Sequence, residues 1–237
     1  ILHVTEVRVE RLVDQHPARQ LHVGQHVVHG NQVAQEFQHL ALESEDALPR
    51  IETSVTEDLG LGLLHIGLEF LDEDCGGIRG GRAIKCVVPG GVSSKVLTGA
   101  EIANLKLAHE DLWDVGSTLG SGGMIVIAEG TCMVALLQVL MRFYHHESCG
   151  QCTPCRHGTG WLHRILDRIV AGDGRADDIE RLYYISKFND GTTICGLGDA
   201  AGYACSGILD KFRDEFEYCI EHKRPKFDGN LECLRSS

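Results

Sequence analysis

The sequence predicts an α+β protein in which a small β-containing module precedes a four-helix bundle. Three observations support this fold class. The composition changes near residue 75, since the first 84 residues contain no Lys and seven of the thirteen His lie between His3 and His65. Short apolar runs beside glycines follow this change, as strands do. Beyond residue 130, apolar residues recur at helical spacing in four successive segments.

Residues 1–74 are an unassigned N-terminal third. Short alternations at Leu21–Val23 and His26–His29 are compatible with strands, but no long period emerges, so no fold is predicted for this segment. The spacing of its His residues repeats nothing, which favours scattered solvated side chains over a metal site. The chain begins with Ile, which suggests a fragment or a processed form.

Residues 75–130 are predicted to form the β-containing module. Ile84–Val88 has the composition of a strand, and Pro89-Gly90-Gly91 supplies the turn that ends it. Met124–Ala128 is a second short strand candidate. The glycine run at 116–123 resembles a phosphate cradle but precedes a strand, whereas a phosphate loop needs strand, loop and helix in that order. Turn and close-packing roles are therefore predicted for these glycines, and for those at 76–82.

Residues 131–224 are predicted to form the bundle, and residues 225–237 a tail. The apolar spacing and the flanking glycines place helices at Met133–Tyr144, around Trp161–Val170, at Asp177–Phe188 and at Asp199–His222. The first of these segments is apolar almost all round, which indicates a buried helix. The others carry charged residues between their apolar positions, as helices with one solvated face do.

Composition excludes several classes of function. The formal net charge of -12 argues against a nucleic-acid partner, because phosphates are met by Lys and Arg. No apolar run approaches the roughly 20 residues that a membrane helix needs, so no membrane insertion is expected. No nucleophile elbow or Ser–His–Asp pattern is present. No charged segment and apolar run precede a cleavage site, so secretion lacks support, and the clustered Cys among the ten are expected to be metal ligands rather than disulfides.

The most informative segment is Cys149-Gly-Gln-Cys152-Thr-Pro-Cys155. Two-residue spacings let one loop direct three thiolates at a single group. A [4Fe–4S] cubane needs four thiolates, and three from one loop plus one distant Cys is a common solution. Structural zinc, the rival metal, usually takes separated pairs of ligands. The spacing therefore favours a cubane over zinc, and both over three buried free thiols.

The fourth ligand is predicted to be Cys195, in a glycine-bracketed loop before a helix whose N-terminus would favour the negative charge of a cluster. Arg156 and His157 are candidate cationic neighbours. Cys205 and Cys219 lie within the last predicted helix and are expected to be small buried hydrophobes. The remaining candidates are less favoured: Cys75, Cys86, Cys132 and Cys233 lack partner spacing, and His145, His146 or His157 would have to replace a thiolate.

Five segments resemble, in the same order, the NADH-binding flavoprotein subunit of respiratory NADH:quinone oxidoreductase, or complex I. They are Cys75–Arg82, Val87–Gly91, Leu119–Gly122, Glu147–Leu162 and Thr193–Ala200. The match extends over about residues 75 to 222. The resemblance implies a β-grasp module of the soluble-ligand-binding (SLBB) type, followed by a helical domain that holds one [4Fe–4S] cluster on Cys149, Cys152, Cys155 and Cys195.

The resemblance also implies a role. In that family NADH reduces FMN, and this cluster takes single electrons from the flavin and passes them on. The implied partners are a thioredoxin-like [2Fe–2S] subunit and a larger cluster-bearing subunit. The implied location is peripheral, on the cytoplasmic face of the bacterial inner membrane or the matrix side of the mitochondrial one. Residues 1–74 lack the family's FMN and NADH motifs, and a misread gene start is our hypothesis for them.

Two alternatives stay open. A diaphorase subunit of an NAD-linked hydrogenase or formate dehydrogenase shares the same modules, and extra ferredoxin-like Cys sets would favour it; none is present. A zinc-stabilised interaction module without a redox role is the rival from another class. In the family pattern an aromatic–Pro step follows the fourth Cys, whereas this chain has Gly202-Tyr203-Ala204, which affects the start of the last helix and no ligand.

Overall fold

A computed structural model describes residues 77–78, 81–103, 105–106, 108–120 and 122–227. The chain divides into two compact units. Within the described ranges, the first contains residues up to 91 together with 97–129, and the second contains residues 92–96 and those from 130 onward. The predictions for residues 1–74, for Cys75, for Cys233 and for the tail beyond residue 227 lie outside the described residues.

The first unit is built on a three-stranded sheet. Its strands are β1 (Ile84–Val88), β2 (Leu97–Thr98) and β3 (Ile125–Ala128), in the order β2-β1-β3. β1 is antiparallel to both neighbours, with Val87 opposite Leu97 on one side and Val126 on the other. The predicted bounds of β1 are confirmed, and the second predicted strand begins one residue later than Met124. β2 was not predicted, because two residues carry no periodic signal.

In the described part of this unit, two short helices accompany the sheet: α1 (Gly99–Ile102) and α2 (His109–Asp114). α1 begins with a capping box in which Thr98 Oγ1 accepts from the Glu101 N–H, while Glu101 Oε2 accepts from the Thr98 N–H. These helices and the sheet share a core, whose buried members are Ile78, Val87, Leu97, Ile102, Leu112, Val126 and Ala128.

The glycine run before β3 has the close-packing role predicted for it. A Cβ on Gly120 would lie 2.5 Å from the carbonyl oxygen of Gly90, and a Cβ on Gly90 would lie 2.5 Å from that of Thr118. Gly120 also has a φ of 52°, which favours glycine. The two backbones can approach this closely only because neither residue carries a side chain.

The second unit contains four long helices. They are α3 (Met133–Glu147), α4 (Thr153–Val170), α5 (Asp178–Asn189) and α6 (Gly196–His222). All four predicted helical segments are present, but α4 begins well before Trp161 and α6 begins before Asp199. α6 bends at Phe212, whose φ of -128° is not helical.

The helices of the second unit bury one another's apolar faces. α3 lies against α4 and α6, and α5 lies against α4 and α6. The prediction that α3 is a buried helix is confirmed, since nine of its fifteen residues are buried. The segment 92–96 is anchored to α3, because Tyr144 donates its hydroxyl hydrogen to the carbonyl of Val92 across 3.0 Å. Across the described ranges, no helix combines the length and apolar character needed to cross a bilayer.

Candidate iron–sulfur site

The loop between α3 and α4 carries three of the predicted ligands. Cys149 is exposed in this loop, Cys152 is the N-cap residue of α4, and Cys155 lies buried in the first turn of that helix. Pro154 stands in the same turn, where an N–H would have no helical partner. The motif therefore begins in a loop and ends in a helix. The start of α4 fixes the positions of Cys152 and Cys155.

Local hydrogen bonds hold this loop in shape. Ser148 follows the last residue of α3, and its Oγ lies 3.2 Å from the Sγ of Cys155 and accepts from the N–H of Gly150 at 3.4 Å. Gly150 has a φ of 79°, which lets the chain turn between the first two Cys. Arg156 lies across the loop and donates from Nη1 to the Gly150 carbonyl at 3.3 Å.

The fourth predicted ligand lies in the loop between α5 and α6. Cys195 is the N-cap residue of α6. Asp199 of that helix accepts from the N–H of Gly191 at 2.8 Å, and Thr193 donates its hydroxyl hydrogen to the Cys195 carbonyl at 2.9 Å. Thr193 also lies directly over Gly198, where a Cβ would lie 2.5 Å from the methyl carbon of Thr193. The loop thus packs onto the first turn of the helix that follows it.

The two loops meet. Ile194 donates its backbone N–H to the Sγ of Cys152 across 3.3 Å. Burial raises the pKa of the Cys155 thiol, the contact with Ser148 lowers it, and the nearby thiols of Cys195, Cys149 and Cys152 raise it further. The contact between Ile194 and Cys152 brings the loop that carries Cys195 against the loop that carries the other three Cys.

The electrostatics of this region suit a group with anionic ligands. Cys152 and Cys195 cap the N-termini of α4 and α6, where unpaired backbone N–H groups carry partial positive charge. Arg156 adds a full positive charge beside the first loop, and its Nε donates to His157 Nε2 at 3.3 Å. Of the two predicted cationic neighbours, Arg156 therefore lies on the first turn of α4 and bonds the first loop, whereas His157, the next residue, accepts a hydrogen bond from Arg156.

The donor set fits a thiolate-ligated cluster. Four thiols from two loops, with a backbone N–H aimed at one sulfur, match the ligation that a cubane requires. A single ion is a different case: in the ranges that the structure describes, no three His, Cys, Asp or Glu side chains are grouped so as to hold one metal ion. A cubane places its four ligands at the corners of a box, farther apart than the ligands of one ion.

The other predicted candidates have different surroundings. His145 packs against Gly160, His157 stacks on Trp161 with ring centroids 5.9 Å apart, and His146 lies 3.8 Å from Glu147. The remaining described Cys, which are Cys86, Cys132, Cys205 and Cys219, are all buried. Cys205 and Cys219 are buried within α6, as predicted. Cys132, which lacked partner spacing in the sequence, is the N-cap residue of α3.

Sequence reasoning missed the residues that shape the loops. Ser148, Thr193 and Asp199 form the hydrogen bonds described above, and no role was predicted for any of them. A signal exists for Ser148, because Ser before a Gly-containing turn often bonds the backbone two residues on. A signal for the start of α4 exists in Pro154, which is favoured in the first turn of a helix.

Comparisons with known proteins point to one group. Residues 135–219 match the family described as the NADH-ubiquinone oxidoreductase-F iron-sulfur binding region. Two curated relatives are an F-type subunit of the NADH-quinone oxidoreductase of Rhizobium meliloti, 43% identical over 171 residues, and the mitochondrial NADH dehydrogenase [ubiquinone] flavoprotein 1 of Dictyostelium discoideum, 45% identical over 150 residues. The first alignment includes 71% of this chain and the second 63%.

The chain spans 40% of the length of the Rhizobium relative and 31% of the Dictyostelium one. A solved structure of an NAD+-reducing [NiFe]-hydrogenase in the H2-reduced state is also similar, with a TM-score of 0.57 and 27% sequence identity. That similarity includes 70% of this chain and 26% of the hydrogenase chain.

Proposed function

We propose, given that residues 135–219 carry the iron–sulfur binding region of the NADH-ubiquinone oxidoreductase-F family, that this chain is the electron-relay part of an NADH dehydrogenase flavoprotein subunit. The relatives are named as subunits of NADH-quinone oxidoreductase and NADH dehydrogenase. Because the chain spans less than half of each relative, NADH oxidation is assigned to the whole subunit and only electron relay to this part.

We assign the ligands as Cys149, Cys152, Cys155 and Cys195. The observation that carries this assignment is the hydrogen bond from the Ile194 N–H to the Cys152 sulfur, which brings the Cys195 loop to the three-Cys loop. When bound, a [4Fe–4S] cluster accepts and releases one electron at a time. The chain has no acid–base step to perform in this role.

The residues around the thiols have definable tasks. Backbone N–H groups at the starts of α4 and α6 stabilise negative charge on the ligands. Ser148 holds Cys155 in position, and burial of Cys155 keeps water from that side of the site. Arg156 adds positive charge, which favours the electron-loaded form over the oxidised one. Hydrogen bonds and charge of this kind set the potential of a cluster.

The similarity to these relatives also supports proposals about fold, cofactors, partners and location. We propose that the three-stranded unit is an SLBB-like β-grasp module and that α3 to α6 form a four-helix bundle. We also propose that FMN and NADH bind elsewhere in the whole subunit. The proposed partners are a thioredoxin-like [2Fe–2S] subunit and a larger cluster-bearing subunit, and the proposed location is peripheral, on the bacterial cytoplasmic face or the mitochondrial matrix side.

Metal content tests this proposal against the zinc alternative. Anaerobic reconstitution of the chain with iron and sulfide is expected to yield a brown protein with about four iron and four sulfide per chain. A colourless protein with stoichiometric zinc and no labile sulfide would contradict electron relay and support a zinc-stabilised module.

A second candidate function is the diaphorase subunit of an NAD-linked hydrogenase. The observation that favours it is the similarity to the NAD+-reducing hydrogenase structure. The two candidates differ in the electron partner of the native complex. A complex isolated through this chain that reduces quinone with NADH supports the first candidate, whereas reduction of NAD+ by H2 supports the second.

A further inference from the structure

The side chain of Asn189 is buried where three helices of the second unit come together. Asn189 is the last residue of α5 and is 1% exposed. On the α4 side, a Cβ on Gly158 would lie only 2.6 Å from the Oδ1 of Asn189, so glycine at this position makes room for the amide. On the α6 side, a Cβ on Gly202 would lie 2.6 Å from the carbonyl oxygen of Ser186 and 3.7 Å from the Cβ of Asn189.

The Asn189 amide has no hydrogen-bond partner among the residues that the structure describes. Its Oδ1 and its Nδ2 are both buried and both unpaired. An amide group offers two donor hydrogens and one acceptor oxygen, and burying them without partners costs free energy. Most buried polar groups in folded proteins are hydrogen-bonded, so an unpaired one needs a reason. A functional site is one such reason, because local rules of stability are most often broken there.

Asn189 lies next to both loops that carry the proposed ligands. Gly158 follows Cys155 by three residues, and residues three apart are neighbours on one face of a helix. A helical side chain covers the turn that precedes its own Cα. The amide stands where a side chain of residue 158 would begin, so it covers the turn that carries Cys155. The Asn189 carbonyl also accepts from the hydroxyl of Thr192 at 3.4 Å, in the loop that leads to Cys195.

We propose, building on the proposed function, that Asn189 is a positioning residue whose amide donates a hydrogen bond to the Cys155 thiolate of the loaded site, directly or through one water. Neither amide atom is committed to another partner, so the N–H end can turn toward Cys155. Ligation removes the thiol proton and leaves an anionic sulfur that accepts hydrogen bonds. Ser148 Oγ lies 3.2 Å from this sulfur on the loop side, and Asn189 serves it from the α5 side.

This hydrogen bond has a defined effect on electron transfer. A donor beside a ligand sulfur stabilises negative charge there, and the reduced cluster carries more negative charge than the oxidised one. The bond therefore raises the reduction potential, as hydrogen bonds to cluster sulfurs do. Leu resembles Asn in its branching and size but has no donor. Asn189→Leu therefore keeps most of the packing against Gly158 and removes the hydrogen bond.

A redox titration of the reconstituted full chain, followed by low-temperature electron paramagnetic resonance, tests the proposal. Wild type, Asn189→Leu and Asn189→Ala are compared at one pH. Both variants are expected to show a lower midpoint potential than the wild type and shifted g values. Ser186→Ala is the matched control, because Ser186 is a buried polar residue of α5 whose hydroxyl donates to the Tyr183 carbonyl at 2.8 Å. Its potential and g values should equal those of the wild type.

Stability without the cluster distinguishes this role from a purely structural one. An apolar side chain of similar shape removes the cost of burying an unpaired amide. The cluster-free form of Asn189→Leu should therefore unfold at a denaturant concentration no lower than that of the cluster-free wild type. A residue that served packing alone would show the reverse: stability would fall, and the potential of the loaded protein would not change.

Two outcomes would overturn the proposal. One is a potential and g values that are the same in Asn189→Leu, Asn189→Ala and the wild type. The other is a shift in Ser186→Ala as large as that in Asn189→Leu, which would assign the effect to general repacking of α5. A wild type that takes up no cubane would contradict the proposed function itself, and this role with it. The metal content of the wild type therefore separates the two kinds of failure.

Discussion

The backbone N–H of Ile194 points at the sulfur of Cys152 from 3.3 Å away. Ile194 precedes Cys195, and Cys152 begins α4, so this hydrogen bond joins the two loops that carry the proposed ligands. The Ile194 side chain is 85% exposed. Its contribution to the site therefore comes from the backbone, and the geometry of the site depends on how the loop before α6 is held.

Replacing Gly198 by Ala is expected to disturb that loop. The new Cβ would lie 2.5 Å from the Thr193 methyl carbon and 2.6 Å from its hydroxyl oxygen. Thr193 would have to move, and its bond to the Cys195 carbonyl would be lost. Overpacking of this kind costs about 1–3 kcal/mol. We expect a marked fall in iron and labile sulfide per chain after reconstitution.

Gly196→Ala is the matched control, because a Cβ there meets nothing within 4 Å. Its metal content should equal that of the wild type, and its helix should gain slightly in stability. Equal metal content in Gly198→Ala and the wild type would show that the packing of Thr193 does not position Cys195.

Replacing Arg168 by Met is expected to destabilise the second unit. Asp178 has a fully buried side chain, and its carboxylate accepts from the Arg168 guanidinium and from the Arg175 backbone N–H at 2.8 Å. Loss of the guanidinium leaves a buried carboxylate without its counter-charge. Breaking such a pair typically costs about 3 kcal/mol or more. Chemical denaturation followed by circular dichroism measures the change in unfolding free energy.

The exposed pair between Arg181 and Asp177 supplies the control. Both side chains are about half exposed, so Arg181→Met should cost less than about 1 kcal/mol. If Arg168→Met lowers the unfolding free energy no more than Arg181→Met does, the buried carboxylate of Asp178 does not need the Arg168 guanidinium for stability.

His163 is expected to make stability depend on pH. Burial lowers its pKa below the ordinary 6.5, while Asp167 opposes this from 3.3 Å. The unfolded chain therefore binds a proton at a higher pH than the folded one. As the pH drops below about 6.5 toward the pKa of His163 in the folded protein, the unfolding free energy should therefore fall. Above pH 6.5, His163 should make no pH-dependent contribution to stability.

The measurement is unfolding free energy against pH for the wild type and His163→Gln. The variant should lose less stability on acidification than the wild type. His146→Gln, with a side chain that is 78% exposed, is the control and should follow the wild-type curve. A His163→Gln curve parallel to the wild type would contradict the account of this residue.

The longer secondary-structure elements were predictable, because the sequence repeats a pattern along them. The bounds of β1 and the presence of α3, α4, α5 and α6 follow from apolar runs and helical spacing, which tertiary packing reinforces. β2 and the short helices α1 and α2 are too short to repeat a pattern, and α1 depends on the capping pair of Thr98 and Glu101. Local hydrogen bonds decide such elements.

The candidate site, too, was predictable from the sequence only in part. Two-residue Cys spacing and the glycine-bracketed loop of Cys195 were legible in the sequence, and the assignment of the four ligands remains a prediction. The meeting of Ile194 with Cys152 results from the packing of distant segments. No spacing in one sequence encodes contacts across 42 or more positions, so only the fold could reveal them.

Electron paramagnetic resonance tests the central claim most directly. The anaerobically reconstituted, dithionite-reduced chain would be compared at low temperature with Cys195→Ser, and with Cys205→Ser as a buried-thiol control. We predict a fast-relaxing signal of a reduced cubane in the wild type and in Cys205→Ser, lost or altered in Cys195→Ser. An unchanged signal in Cys195→Ser would contradict the ligand assignment, and a silent, zinc-containing wild type would contradict electron relay by this chain.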